Sequence, residues 1–242
     1  MIVVIPMAGA GARLRDEFDV PKPFVPIAGR PMLSWAFQSV AQLPYTRVVF
    51  VALAAHSRIH GLPALADSLA PGRASVVEID AVTDGQLCTV LAARSFLDTD
   101  EDLLIASADT YVVSELARDI ATRPAECRGL LSVARVEGDN WSFAAVDETG
   151  RVVRVAEKER ISPLASTGLY YFAGAREFTA AADALIAAGR RTRGEFYVAP
   201  LYQDYIDSGR MIGVSEASAI WDMGSPAALR RFEELVAGRA PA

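Results

Sequence analysis

The residues with the plainest chemical purpose stand near the start of the chain. Ile5-Pro6-Met7-Ala8-Gly9-Ala10-Gly11-Ala12-Arg13-Leu14 joins an apolar strand to a loop of small residues carrying one Arg, and Pro21-Lys22-Pro23 follows a few positions later. Glycine lets the backbone approach a ligand closely and take up φ > 0, so that successive amide N–H groups converge on an anion. Arg13 and Lys22 would supply the full positive charges that a triphosphate needs. Two better-known glycine loops do not fit. A dinucleotide fingerprint requires Gly-x-Gly-x-x-Gly, and Leu14 occupies the third glycine's place. A P-loop requires Gly-Lys-Ser/Thr at a fixed spacing, which is missing here.

Two carboxylates could complete such a site. Asp109 ends the apolar run Leu103-Leu104-Ile105-Ala106-Ser107-Ala108, and Asp222 lies in Ile220-Trp221-Asp222-Met223-Gly224-Ser225-Pro226 ahead of a helical stretch. Each by itself reads equally well as a turn or cap residue. Beside a cationic phosphate loop they form the set that Mg²⁺ chemistry uses: one or two carboxylates, with phosphate oxygens and waters completing an octahedron.

The elements that must position these residues are legible as alternating patterns. Strands at 2–5, 47–53, 75–79 and 102–106 are interleaved with helices at about 31–43, 56–69 and 85–97, which predicts a mostly parallel α/β sheet. In such sheets ligands bind beyond the carboxyl ends of the strands, where the glycine loop and Asp109 both emerge. Shorter strands follow at 130–136, 142–146, 152–156, 166–172 and near 211–215, with helices at about 175–188, 197–208 and 226–236. Asp147-Glu148-Thr149-Gly150 has the turn chemistry of an antiparallel pair.

Composition narrows the function further. The chain has 242 residues, 52% of them hydrophobic, which is ample for a buried core, and a formal net charge of −6. That balance argues against non-specific binding to nucleic acid, so any polyanion must be met by local basic residues. Met1 leads into a strand without a basic n-region, and the apolar runs are broken or too short to span a bilayer. A cytoplasmic protein with no membrane partner is therefore expected. Cys88 and Cys127 lack Cys-x-x-Cys spacing and read as free buried thiols. His56 and His60 stand i, i+4 without a following Glu or an evident third ligand, which favours surface histidines over zinc.

Taken in order, Gly9-x-Gly11-x-Arg13-Leu14, Pro21-Lys22-Pro23, Gly29-Arg30-Pro31-Met32-Leu33, Asp109, Glu157-Lys158, Thr167-Gly168-Leu169-Tyr170-Tyr171-Phe172 and Trp221-Asp222-Met223-Gly224-Ser225 span nearly the whole chain. This series resembles the sugar-1-phosphate nucleotidyltransferase family. The resemblance implies one Rossmann-like three-layer α/β/α nucleotidyltransferase domain over residues 1–242, with a mixed, mostly parallel sheet and a small antiparallel β addition. It implies an enzyme that joins a nucleoside triphosphate to a sugar 1-phosphate and releases pyrophosphate with the help of Mg²⁺; the sequence leaves a homo-oligomer open. By position, Arg13 and Lys22 would hold the triphosphate, with Ala8, Gly9 and Gly11 lining it, while Asp109 and Asp222 would ligate the metal. Lys158 would meet the acceptor's phosphate, Glu157, Thr167 and Gly168 would line the sugar, and Gly85 and Gln86 would receive the nucleobase. Ala8 and Ala108 replace glycines frequent in the family, without removing a charge. The basic segment Gly189-Arg190-Arg191-Thr192-Arg193-Gly194-Glu195-Phe196-Tyr197 is less familiar, and reads either as a contact to an anionic acceptor or as a solvent-exposed loop between two helices.

Three other functions use similar parts. A cytidylyltransferase acting on a phosphonate or alcohol phosphate would need the same loop and carboxylates. A non-catalytic nucleotide-binding regulatory homologue would have no physical need for two carboxylates beside two cations. A glycosyltransferase of similar topology would be expected to carry Asp-x-Asp, whereas this chain has Ala108-Asp109-Thr110-Tyr111.

Overall fold

The computed structural model describes residues 1–9, 11, 14 and 17–238. Its centre is a mixed sheet built from β1 (Ile2–Pro6), β4 (Arg47–Leu53), β5 (Ala74–Ile79), β6 (Leu103–Ala106), β7 (Thr110–Ser114), β8 (Cys127–Arg135), β11 (Leu164–Phe172) and β12 (Met211–Asp222), in the order β5-β4-β1-β6-β11-β8-β12-β7. β11 and β7 run against the other six, so most of the sheet points one way. β9 (Ser142–Val146) and β10 (Val152–Glu157) form an antiparallel pair attached to β11, the small addition expected from the sequence. A two-stranded ribbon, β2 (Pro26–Ile27) with β3 (Arg30–Pro31), follows the Lys22–Phe24 turn.

The strands' period of two sorts side chains onto two faces. Ile2, Val4, Val49 and Val51 pack under α4 (Gln86–Leu91), α5 (Arg94–Leu97), α7 (Ala175–Ala187) and α8 (Pro200–Asp207). Val3, Ile5, Val48 and Phe50 pack under α1 (Met32–Gln38), α3 (Leu62–Leu69) and α6 (Leu116–Thr122), with the short α2 (Ala54–Ile59) preceding α3. The closing helix α9 (Pro226–Ala237) buries Leu229 and Phe232 against Leu14, Val25, Ile27, Met32 and Met223, which ties it to the segment after the glycine loop. Among the described residues no helix is long and apolar enough to cross a membrane.

Several element boundaries differ from the expectation. The helix at 31–43 ends at Gln38, the helix at 56–69 is divided at Gly61, and the helix at 85–97 becomes α4 and α5. Pro200 sets the start of α8, since a residue without an N–H is best tolerated in the first turn. Strand β7, between Asp109 and α6, was not expected, and β12 runs to Asp222 rather than stopping near 215. Glu216-Ala217-Ser218-Ala219 lacks β-branched residues, so pairing with β7 rather than local propensity keeps that stretch extended. Both thiols are free, Cys127 buried and Cys88 half-buried, and His60 stacks on Phe24 with ring centroids 4.6 Å apart.

The sheet is tight where β8 lies beneath α8. A Cβ on Gly129 would stand 2.7 Å from Tyr202 Cε1 and 3.1 Å from Tyr171 O. Gly129→Ala should therefore cost about 1–3 kcal/mol by overpacking, and lower Tm by several degrees in a thermal melt.

Candidate active site

The carboxyl ends of the strands open into one cavity of about 820 Å³. Its phosphate end begins at Gly9, where a Cβ would meet nothing within 4 Å, and Gly11, which has φ +62° and stands close to the Lys22 side chain. That positive φ is ordinary only for glycine, and it turns the loop back over Lys22. The Lys22 ammonium is itself ion-paired with Asp109 Oδ2.

Register brings the second carboxylate to the same place. β7 pairs antiparallel with β12 so that Thr110 stands opposite Asp222 and Tyr111 opposite Trp221, and Met223 N donates to Asp109 O at 2.9 Å. The Tyr111 and Trp221 rings stack 5.2 Å apart beneath the site, with Phe232 of α9 against both. The point where a Cβ on Gly224 would stand is 2.7 Å from Asp222 Oδ1, 3.0 Å from Lys22 Nζ and 3.5 Å from Asp109 Oδ2. Two carboxylates and an ammonium thus surround one small space that glycine leaves open. Hard oxygen donors around a gap of this kind suit Mg²⁺, which takes one or two carboxylates and fills its remaining positions with water and phosphate oxygens.

The other end of the cavity is built from β9, β10 and the loops beside them. Glu157 is the last residue of β10, its side chain only 2% exposed. Ser142 Oγ donates to its Oε2, while Oε1 lies 3.1 Å from Lys158 Nζ without hydrogen-bond geometry. A buried carboxylate oxygen lacking a donor, on the wall of a cavity, is a place for a ligand hydroxyl. Lys158 adopts φ +59°, uncommon for a side-chain-bearing residue, and is held there by its N–H to Trp141 O (2.9 Å) and its ammonium to Asn140 O (2.7 Å). The Tyr197 ring faces that ammonium at 5.3 Å. Burial first, and then neighbouring carboxylates, push the Tyr170 and Tyr197 phenols up to about 12, so both present O–H groups at neutral pH.

Of the residues singled out in the sequence, Gly9, Gly11, Lys22, Gln86, Asp109, Glu157, Lys158, Thr167, Gly168 and Asp222 line this cavity. Arg13 lies outside the described residues. Ala8 is buried and is not on the wall. Gly85 is also absent from the wall: at φ +126° it packs against the backbone of Phe196, and a Cβ there would be 2.5 Å from Phe196 O. Its glycine therefore serves a loop-to-loop contact, reinforced by Leu87 N to Phe196 O (3.0 Å) and Phe196 N to Asp84 O (2.8 Å). Thr167 spends its hydroxyl on Ser132 Oγ inside the sheet (2.8 Å). Two of the three arginines of the basic segment are held by carboxylates, Arg190 with Asp204 (2.5 Å) and Arg191 with Asp84 (2.7 Å), while Arg193 donates to Asn140 Oδ1 at 3.4 Å. Tyr197, the last residue of the basic segment, faces the cavity, as do Ser142, Asn140 and Arg231, which sequence reasoning did not single out. Those three carried no local signal.

An α/β/α sheet with a glycine loop beside Lys22 and paired carboxylates at its carboxyl edge defines a nucleotidyltransferase-type protein. The chain belongs to the MobA-like NTP transferase domain family, whose model matches residues 3–192. The bifunctional protein GlmU of Thermotoga maritima is 25% identical over 211 residues, covering 82% of this chain and 43% of that one. GlmU of Burkholderia mallei strain SAVP1 is 26% identical over 252 aligned positions, covering 97% and 52%. The chain spans about half the length of these curated relatives. The nucleoside-diphosphate-sugar pyrophosphorylase from Vibrio cholerae RC9 superposes with a TM-score of 0.83 at 26% identity, over 96% of this chain and 99% of that one. The inositol-1-phosphate CTP transferase from T. maritima shares the fold, with a TM-score of 0.77 at 19% identity over 98% and 94%. Family and fold agree with the resemblance read from the sequence.

Gly224→Ala tests the carboxylate cradle. The fold should be retained, with Tm within about 2 °C of wild type, while the affinity for Mn²⁺ measured by electron paramagnetic resonance falls about tenfold or more.

Proposed function

We propose that this chain joins a nucleoside triphosphate to a sugar 1-phosphate, producing an NDP-sugar and pyrophosphate with Mg²⁺ bound by Asp109 and Asp222. The observation that carries this reading is the convergence of Lys22, Asp109 and Asp222 around Gly224 at the mouth of a cavity whose far end holds Lys158 and Glu157. The V. cholerae relative's name, and the GlmU relatives, support the same reaction class.

In this reading an oxygen of the acceptor phosphate attacks the α-phosphorus, the bond from that phosphorus to the β-phosphate oxygen breaks, and its electron pair leaves with pyrophosphate. The attacking oxygen is already anionic, so no general base is required, and positioning with charge neutralisation can supply the rate. Lys22 leaves its pairing with Asp109 to meet charge growing on the α-phosphate. Lys158 moves from Asn140 O onto the acceptor's phosphate, and Glu157, fixed by Ser142, accepts hydrogen bonds from ligand hydroxyls. Gln86, at the start of α4, faces the base. Arg13 would add a further cation to the triphosphate. Mg²⁺, when bound, supplies charge neutralisation on the phosphate oxygens.

The test is a pyrophosphate-release screen of the four common nucleoside triphosphates against sugar 1-phosphates, inositol 1-phosphate, and phosphonate and alcohol-phosphate acceptors, with Mg²⁺. Release should require triphosphate, acceptor and divalent ion together, and be fastest with a sugar 1-phosphate. Preference for inositol 1-phosphate or another non-sugar acceptor would move the protein to the cytidylyltransferase alternative. Tight nucleotide binding without release from any pair would make it a regulatory homologue.

Lys22→Ala separates chemistry from binding. With its flanking prolines restricting the backbone, Lys22 should act mainly as charge develops, so kcat should drop about 10²-fold or more. A raised nucleotide KM at unchanged kcat would instead mark uniform binding.

A further inference from the structure

The cations around the cavity differ in what already neutralises them. Lys22 is paired with Asp109, and Lys158 lies against Glu157. Arg231 of α9 lines the same cavity and, among the described residues, stands in no ion pair. A second, smaller cavity at the opposite end of the sheet shows the contrast. Its arginines all have carboxylates of their own: Arg123 with Asp102, Arg128 with Glu177 and Arg176 with Asp98. An uncompensated guanidinium on the wall of a cavity that also carries Asp109, Asp222, Glu157, Glu137 and Asp139 is the group there with charge to give an anionic ligand.

Packing fixes which end of the cavity Arg231 serves. α9 starts directly after Gly224, with Ser225 as its cap accepting from Ala228 N. Leu229 and Phe232 hold the helix against Leu14 and Met223, and Arg230 ties its flank to Glu17 just past the glycine loop, at 2.9 Å. Arg231 is about 9 Å along the helix axis from Ser225, and side chains on a helix lean back toward its N-terminus. Arg231 therefore reaches the cavity from α9, the helix that begins beside Gly224 and Ser225 on the same wall.

We propose that Arg231 binds the β- and γ-phosphates of the triphosphate and holds the pyrophosphate they become. This rests on the nucleotidyl-transfer reading of the site. The α-phosphate belongs beside Lys22 and the carboxylate cradle, so the two outer phosphates extend away from the acceptor end, toward α9. The fork of Arg matches two phosphate oxygens at once, and the N-terminus of α9 adds partial positive charge of the same sign. Arg231 is a binding residue: it holds the two outer phosphates before transfer and the pyrophosphate after it, so its effect falls on the affinity for both, with a further part in kcat from the charge that grows on the β-phosphate as the bond breaks.

Calorimetry with inorganic pyrophosphate and with tripolyphosphate, in Mg²⁺ and without acceptor, tests the assignment on the intact chain. Arg231→Gln should weaken both ligands about tenfold or more, and Arg231→Lys should recover part of the loss, since it keeps the charge but not the fork. Arg230→Gln, which alters the neighbouring side chain turned toward Glu17, should leave pyrophosphate binding within about twofold of wild type. In steady-state assays Arg231→Gln should raise the triphosphate KM and the pyrophosphate inhibition constant together, with acceptor KM within about twofold of wild type. Wild-type affinity for pyrophosphate in Arg231→Gln would overturn the assignment, as would a wild-type chain that does not bind pyrophosphate. In either case pyrophosphate release by the wild-type enzyme would leave the transferase reading standing. Absence of release with Arg231-dependent pyrophosphate binding would sink that reading alone.

Discussion

The antiparallel pairing of β7 with β12 is the constraint on which the site depends. Thr110 opposite Asp222 puts two carboxylates, distant in sequence, at one end of one ladder, and the Met223 N–H to Asp109 O bond closes the join. A slip of one residue would turn every side chain of β12 to the other face and separate Asp222 from Asp109. The stacked Tyr111 and Trp221 rings and Phe232 of α9 hold that register from below, so packing and site geometry are one feature.

Charge in the cavity is organised as exchangeable pairs. Lys22 rests on Asp109, and Lys158 rests on Glu157 and Asn140 O. Both lysines are thus paired before a ligand arrives, and in the proposed reaction each is transferred to phosphate when one does. This suits a chain of net charge −6, which under the proposed function would bind polyanions with a few well-placed cations rather than with a basic surface. Lys158 shows what the arrangement costs locally: its left-handed backbone is sustained by three contacts converging on one residue.

The two ends of the cavity are mechanically joined outside it. The segment carrying Tyr197 toward Lys158 also bonds, through Phe196, to the backbone at Asp84 and Leu87, and Arg191 clamps Asp84 while stacking at 4.1 Å over the Phe196 ring. The loop that leads into Gln86 therefore shares a support with the segment that carries Tyr197 to Lys158. Gly85 exists for this contact, since any side chain would push the two backbones apart.

The alternating strands and helices, the glycine loop, Lys22 between its prolines and the two candidate carboxylates were legible in the sequence, because local pattern and residue type carry them. Local signals failed where the partner is distant. Glu216-Ala217-Ser218-Ala219 of β12 has weak strand propensity and is extended because it pairs with β7; Ser142 reaches Glu157 across a ladder; Arg231 meets the cavity because Leu229 and Phe232 dock α9 against Leu14. Gly85 shows the same division at one position. The sequence by itself determined that a glycine begins α4, and only the tertiary structure decided that it does so to admit the backbone of Phe196, because a close approach between residues far apart in the chain leaves no trace in local pattern.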